Sequence, residues 1–246
     1  YTTLFRSYRL TAPTGGADVL LTSAVTASQR LSPVSYIGAN TFFFHQGEQI
    51  SLTTLQKRLA AAGYANVKQV LAAGEFAVRG SIVDVFPMGS ERPFRLDFFD
   101  DEIESIRWFD VDTQRSMESA EEIRLLPGHE FPVDPEALLA FRQRWRREFA
   151  GDPKKSIVYC DIEKEILPPG IEYYLPLFFD ETAALTDYLP PNARVFLLGD
   201  IEVALQAFGR DMASRYKVLA ADPQRPALAP ERIWLKPEEF FKIGRA

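Results

Sequence analysis

Apolar positions recur along the chain with two different periods, and the change of period marks out its parts. Asp18–Thr22 (DVLLT) is a short run of the buried-strand type, and Ala24–Leu31 is expected to follow as a helix that stops before Ser32-Pro33. Val34–Asn40 reads as a linker, and the apolar run Thr41–Phe44 opens a new unit. Ser51 is placed to cap a helix with Leu52, Leu55, Leu59 and Ala62 on one stripe, ended by Gly63. The spacing of Val67, Val70 and Leu71 predicts a second, shorter helix from Asn66, closed by Gly74.

From Glu75 to Pro127 the period falls to two. The segments EFAVR, SIVDVF, FRLDFF, EIESIRWF and EEIRLL are separated by turn residues and predict an antiparallel meander. Along FRLDFF, alternation sends Phe94, Leu96 and Phe98 to one face and Arg95, Asp97 and Phe99 to the other. The helical period returns after Pro127. Asp134-Pro135 reads as N-cap and first helical residue, with Leu138, Leu139, Phe141, Trp145 and Phe149 facing inward. A helix over Lys155–Ile166, an aromatic segment Ile171–Phe179 and a parallel-type strand Arg194–Leu198 are expected next. A helix from about Ile201 to Leu219, a short strand Ile233–Leu235 and a helix from Pro237 to Ile243 complete the pattern.

Composition sets limits on this picture. With 246 residues and 46% hydrophobic content, the chain can bury one large core or two modest ones. The net charge of −6 argues against a surface that wraps nucleic acid or a polybasic membrane patch. That charge is local. Asp97, Asp100, Asp101, Glu102, Glu104, Asp110 and Asp112 face a single base, Arg107, within sixteen residues, and this stretch alone equals the net charge of the chain. The apolar runs are too short to span a bilayer. One cysteine, Cys160, permits no internal disulfide, so a soluble protein of the reducing cytoplasm is expected. Both ends look cut: the chain begins on Tyr1, and Tyr1–Ser7 (YTTLFRS) reads as a translated sequencing adapter, set aside as non-native.

Candidate chemistry is sparse. No G-x-x-x-x-G-K-[ST] phosphate loop is present, and Gly15-Gly16 lacks its lysine and precedes a strand. Asp200, after VFLLG, could be a magnesium-binding strand end, but a helix N-cap is the simpler role. The Asp97–Glu104 run lacks metal-ligand spacing. Asp100-Asp101 suits a tight turn, and Glu102 and Glu104 suit an exposed strand edge. His45 and His129 have no nucleophile in a recognisable elbow, and Cys160 reads as a buried structural thiol. The sharper constellation is Arg79, Arg95 and Phe99. Arg95 and Phe99 share a strand face that Arg79 can reach from a neighbouring strand, and an aromatic between arginines is hot-spot composition. The competing structural role is charge balance: Arg79 and Arg95 opposing Asp97 and the acidic turn, with Phe99 covered by the Phe109 region.

The segment GEFAVRGSIVDVFPMGSERPFRLDFFDDEIESIRWFDVDTQRS, followed by LLPGHEFP, resembles the N-terminal UvrB-homology module of the bacterial transcription-repair coupling factors (Mfd). The likeness runs from about Asp18 to the C-terminus and includes LPPGIEYYLPLFF. Excinuclease subunit UvrB shares the R-G-x-[IL]-[VIL]-[DE]-x-[FY]-P signature. The strings FPMGSE, FFDDEIE and LLPGHEFP favour the coupling factors, and Gly199-Asp200 stands where UvrB would carry a Walker B acid pair. The resemblance implies degenerate RecA-like α/β halves flanking an inserted α+β domain with an antiparallel sheet. On that reading residues 8–39 end the first half, 40–127 form the UvrA-binding domain and 128–246 belong to the second half. It also implies that Arg79, Arg95 and Phe99 contact UvrA and that this stretch holds no catalytic, metal or cofactor site. RNA polymerase, double-stranded DNA, ATP and Mg2+ would engage other parts of an ATP-driven translocase. The alternatives are UvrB itself or a stand-alone UvrA-binding adaptor.

Overall fold

The computed structural model describes residues 19–242; Tyr1–Ser7, Gly15-Gly16, Asp18 and Ile243 lie outside them. The described chain forms two compact units, residues 35–133 and, in two stretches, residues 19–34 with 134–242. It mixes helix with sheet, and the sheet is largely antiparallel.

The segment expected to be a linker forms a helix, α1 (Val34–Ala39), which leads into the first unit. Strand β1 (Phe42–His45) follows, then α2 (Leu52–Ala61), which starts where the Ser51 hydroxyl accepts from Thr54 N–H at 3.2 Å. Leu55 and Leu59 are its buried residues, one turn apart on the stripe that the sequence suggests. Gly63, with φ +85°, turns the chain out of the helix. The shorter helix expected from Asn66 does not form. Instead Ala65–Asn66 (β2) runs parallel to β3 (Glu75–Arg79), because Ala65 N–H finds Gly74 O at 2.8 Å and Val67 N–H finds Phe76 O at 2.8 Å. The amides of Leu71 and Ala72 turn to the Glu75 carboxylate. Val67 and Val70 then pack on Ala77, Phe109 and Val111, so their helix-like spacing serves one-sided burial on a sheet.

Strands β4 (Ile82–Val85), β5 (Phe94–Phe99), β6 (Glu102–Phe109) and β7 (Ser116–Ala120) complete a six-stranded sheet in the order β2-β3-β4-β5-β6-β7. The sequence expectation misplaces its end. EEIRLL supplies β8 (Glu122–Leu125), which leaves the sheet to pair with β1 in the register Phe42↔Leu125 through His45↔Glu122. The polar string SMESA takes its place, and β6 is therefore an interior strand and not an edge. The core face carries Val83, Val85, Phe94, Leu96, Phe98, Ile103 and Ile106, all buried.

Two contacts close the unit. Gly128 N–H donates to Ala62 O at 2.6 Å, an approach in which a Cβ on Gly128 would fall 2.5 Å from Gly63 O. The buried Tyr64 hydroxyl donates to Leu126 O at 2.7 Å and accepts from Met88 N–H at 3.1 Å, so one side chain holds two loops. Burial pushes its pKa well above the ordinary tyrosine value.

In the second unit Asp134 caps α3 (Pro135–Glu148), accepting from Glu136 and Ala137 N–H at 3.1 and 3.0 Å, with Pro135 in the first turn. Leu138, Phe141 and Trp145 are buried, whereas Leu139, a hundred degrees round the helix from Leu138, is exposed. Phe149 is half-buried against Trp145 at 4.5 Å. Helix α4 (Ile157–Glu163) is shorter than expected, because Pro153–Lys155 forms a 3-10 turn and Ser156 caps the chain anew. Ile171–Leu177 is also 3-10. Arg194–Leu198 and Val19–Thr22 have no partner strand among the described residues and are exposed, without regular structure. A strand without a ladder leaves its amides to water. Asp200 caps α5 (Ile201–Leu219), accepting from Val203 N–H at 3.1 Å. The helix expected over Ala24–Leu31 is the single turn Ala24–Ala27, and beyond it Gln29 and Leu31 bridge to Trp234 and Ala183. The expected strand at 233–235 reduces to that Trp234 bridge after a turn, Pro230–Ile233, and Pro237–Phe240 is one more turn.

Replacing Tyr64 by Phe leaves Leu126 O without its hydroxyl donor and Met88 N–H without its acceptor, both buried. Urea unfolding of Tyr64→Phe is expected to show a loss of about 1–3 kcal/mol. Because the fold favours the neutral phenol, wild-type stability falls as pH rises above the ordinary tyrosine value, where the unfolded chain ionises first. The variant loses that part of the alkaline slope.

Candidate partner-binding site

The sheet face opposite the core is where the sequence analysis places Arg79, Arg95 and Phe99, and strand register brings them together. Ala77, Asp84, Arg95, Arg107 and Ser119 pair across β3 to β7 in one row. Arg79, Ile82, Asp97 and Ser105 form the next row. Phe99 follows Asp97 on the same face, after a bulge at Asp97/Phe98. Phe98 N–H donates to Ser81 O at 2.8 Å, which ties the end of β5 to the Gly80-Ser81 turn that follows Arg79.

This face has a covered half and an open half. Towards Phe109, the Val67–Val70 segment and Val111 make a small second core over Ala77. Towards Phe99 the face is open, and the Phe99 ring is 69% exposed. It is thus not covered by the Phe109 region. Half-buried Ile82 lies between Arg79 and Asp97.

The charges form one network around Asp84, whose side chain is only 1% exposed. Arg95 clasps it with both prongs, Nε to Oδ1 at 2.6 Å and Nη2 to Oδ2 at 2.9 Å. Arg79 Nη2 donates to the same Oδ2. Arg95 Nη1 reaches Gln114 O at 3.1 Å and Ser116 Oγ at 3.2 Å, and its guanidinium lies 4.9 Å from the centre of the Phe109 ring. The hydrogen bond to Asp84, outweighing partial burial, holds the Arg95 pKa above its ordinary value. Neither arginine forms an ion pair with Asp97, which acts on Arg95 only at longer range and whose Oδ2 accepts from Ser105 Oγ at 2.8 Å. Asp84 does not stand out from the sequence as a site residue. An acid in the apolar string IVDV, on the strand between the two that carry the arginines, was the available signal.

The hairpin tip that presents Phe99 is held from the outer side of β6. Gly47 N–H donates to Ile103 O at 2.8 Å, Ile103 N–H to Glu48 O at 3.0 Å and Ile50 N–H to Asp101 O at 2.7 Å. Gln49 Nε2 adds a bond to Glu102 Oε2 at 2.7 Å. Asp100 and Asp101 fill the turn itself, Asp100 with φ +52°, and both are exposed. At the far end of β6, hydrogen bonds from Thr113 hold the Asp110 carboxyl below the usual carboxylate range.

The remaining candidates lie elsewhere. His45 faces Glu122 at 3.7 Å on an exposed ribbon, and His129 stacks on Phe131 at 5.5 Å. Cys160, expected to be buried, is only partly so, and its thiol donates to Lys154 O at 3.4 Å. Among the described residues no three His, Cys, Asp or Glu side chains gather as metal ligands, and no helix is long and apolar enough to cross a membrane.

An exposed aromatic and a half-exposed arginine on a braced sheet end suit docking to another protein, and comparison with known proteins gives the class. Residues 42–131, which contain the whole sheet, match the UvrB interaction domain. Over 230 residues the chain is 43% identical to the transcription-repair-coupling factor of Escherichia coli K12, covering 93% of this chain and 20% of that protein. The Haemophilus influenzae factor is 44% identical over 224 residues, 90% of this chain and 19% of its own length. The Bacillus subtilis factor is 32% identical over 199 residues, 74% of this chain and 17% of its own. The chain carries a UvrB interaction domain, and it belongs to the family of transcription-repair-coupling factors. It spans about a fifth of the length of the curated relatives it matches.

Truncating Asp84 leaves the Arg95 guanidinium, 12% exposed, without its counter-charge. Asp84→Ala is expected to cost about 3–5 kcal/mol in urea unfolding. Arg92→Ala, which removes an ion pair to Glu118 between largely exposed side chains, should cost less than about 1 kcal/mol.

Proposed function

We propose that residues 40–127 dock UvrA through the open end of the sheet, with Phe99 as anchor and Arg79 beside it, on the platform that Arg95 and Asp84 build. The observation that carries this reading is the 69% exposure of Phe99 at the end of a sheet within the UvrB interaction domain match. An exposed aromatic beside a half-exposed arginine has the composition of an interface hot spot. The stretches 8–39 and 128–246 are then flanking, degenerate RecA-like halves. The name that the relatives carry, transcription-repair-coupling factor, supports a role in cytoplasmic DNA repair coupled to transcription. On this reading, displacement of stalled RNA polymerase and ATP- and Mg2+-driven movement on double-stranded DNA belong to regions of the longer protein outside this chain, and this chain recruits.

Phe99→Ala and Arg79→Glu should each weaken binding of purified UvrA by about 2 kcal/mol or more; Phe99→Ala should leave the urea midpoint of the chain close to wild type, whereas Arg79→Glu, which sets a second carboxylate against buried Asp84, should lower it. Isothermal titration decides it. Unchanged UvrA affinity in both variants overturns the reading.

A further inference from the structure

We infer that Asp84 is the positioning residue of the docking surface, and that Arg95 acts with it as a support and not as a contact. The inference rests on the UvrA reading above. Its starting point is how the guanidinium donors are used. Arg95 spends Nε, Nη1 and Nη2 on Asp84, Gln114 O and Ser116 Oγ, rests against the Phe109 ring, and leaves only 12% of its side chain to solvent. Little of it remains for a partner.

Arg79 is the opposite case. Its side chain is 48% exposed, and its one side-chain hydrogen bond among the described residues goes from Nη2 to Asp84 Oδ2. Held by one nitrogen, the planar fork keeps its Nε and Nη1 donors, and those donors have a fixed origin on the open half of the face. A long side chain that is already ordered loses less freedom when it binds. Oδ2 of Asp84 receives both arginines, so the carboxylate joins the buried support to the exposed donor. The partner group that this arrangement fits is a carboxylate or a pair of carbonyl oxygens, reached by Arg79 while Phe99 enters an apolar recess.

The experiment is a double-mutant cycle on the 246-residue chain, titrated with purified UvrA, with folding of each variant checked by near-ultraviolet circular dichroism. Asp84→Asn keeps the shape but turns an acceptor into a donor, and should weaken UvrA binding about tenfold. Arg95→Lys keeps a cation beside Asp84 but loses the fork and should act in the same direction. In an Arg79→Ala background both effects should nearly vanish, because the residue through which they act is gone. If Asp84→Asn does not fold, Arg95→Lys carries the same cycle. Wild-type affinity in Asp84→Asn or Arg95→Lys overturns the inference, and so does a loss that persists undiminished without Arg79. Failure of the underlying reading looks different: Phe99→Ala and Arg79→Ala would then leave UvrA affinity unchanged, and the inference would fall with it.

Discussion

A single buried carboxylate organises the sheet face opposite the core. Asp84 sits in the middle of an apolar strand, where an unpaired charge would be untenable, so the fold must bring cations to it. It takes them from both neighbouring strands, Arg79 from β3 and Arg95 from β5. A one-residue slip of either pairing would send these side chains to the opposite face, so the network and the antiparallel register specify each other. The same carboxylate thus bears on the fold, through Arg95, and on the surface, through Arg79.

The second constraint is mechanical. A two-strand tip carrying a large exposed ring would fray if it were free, and this one is held on both sides. Phe98 N–H is tied to the β3–β4 turn, and the Gly47–Ile50 segment lies along the start of β6. The bulge between Asp97 and Phe98 falls at this end of the sheet, where bulges commonly redirect a side chain. The acidic run that gives the chain its net charge starts at Asp97, passes through this tip with Asp100 and Asp101 and continues to the Asp110–Thr113 turn. It borders the exposed Phe99 ring, and among the described residues it gathers no metal site.

Much of the first unit was legible in its residues because alternation in β5 is strict. Phe94, Leu96 and Phe98 are buried while Phe99 is not, as period two requires. The caps at Ser51, Asp134 and Asp200 were legible for a local reason: each is one side chain bonding an amide two or three residues on. What failed depended on distant partners. SMESA shows no apolar alternation and becomes a strand because β6 offers it a ladder, whereas VFLLG shows every sign of a strand and has no ladder among the described residues. Val67, Val70 and Leu71 carry helical spacing, yet the amides of Val67 and Leu71, with those of Ala65 and Ala72, are claimed by Phe76, Glu75 and Gly74. The division of labour between the arginines was equally hidden, since it depends on a carboxylate that only strand pairing brings to them.

Hydrogen exchange of the chain with and without UvrA tests most directly whether this end of the sheet is where the partner sits. The account requires slowed exchange at the two turns flanking the anchor, Gly80-Ser81 and Asp100-Asp101, with the β1–β8 ribbon and the β7 edge unaffected. Protection confined to the ribbon or to β7, with both turns exchanging as in the free chain, would contradict it.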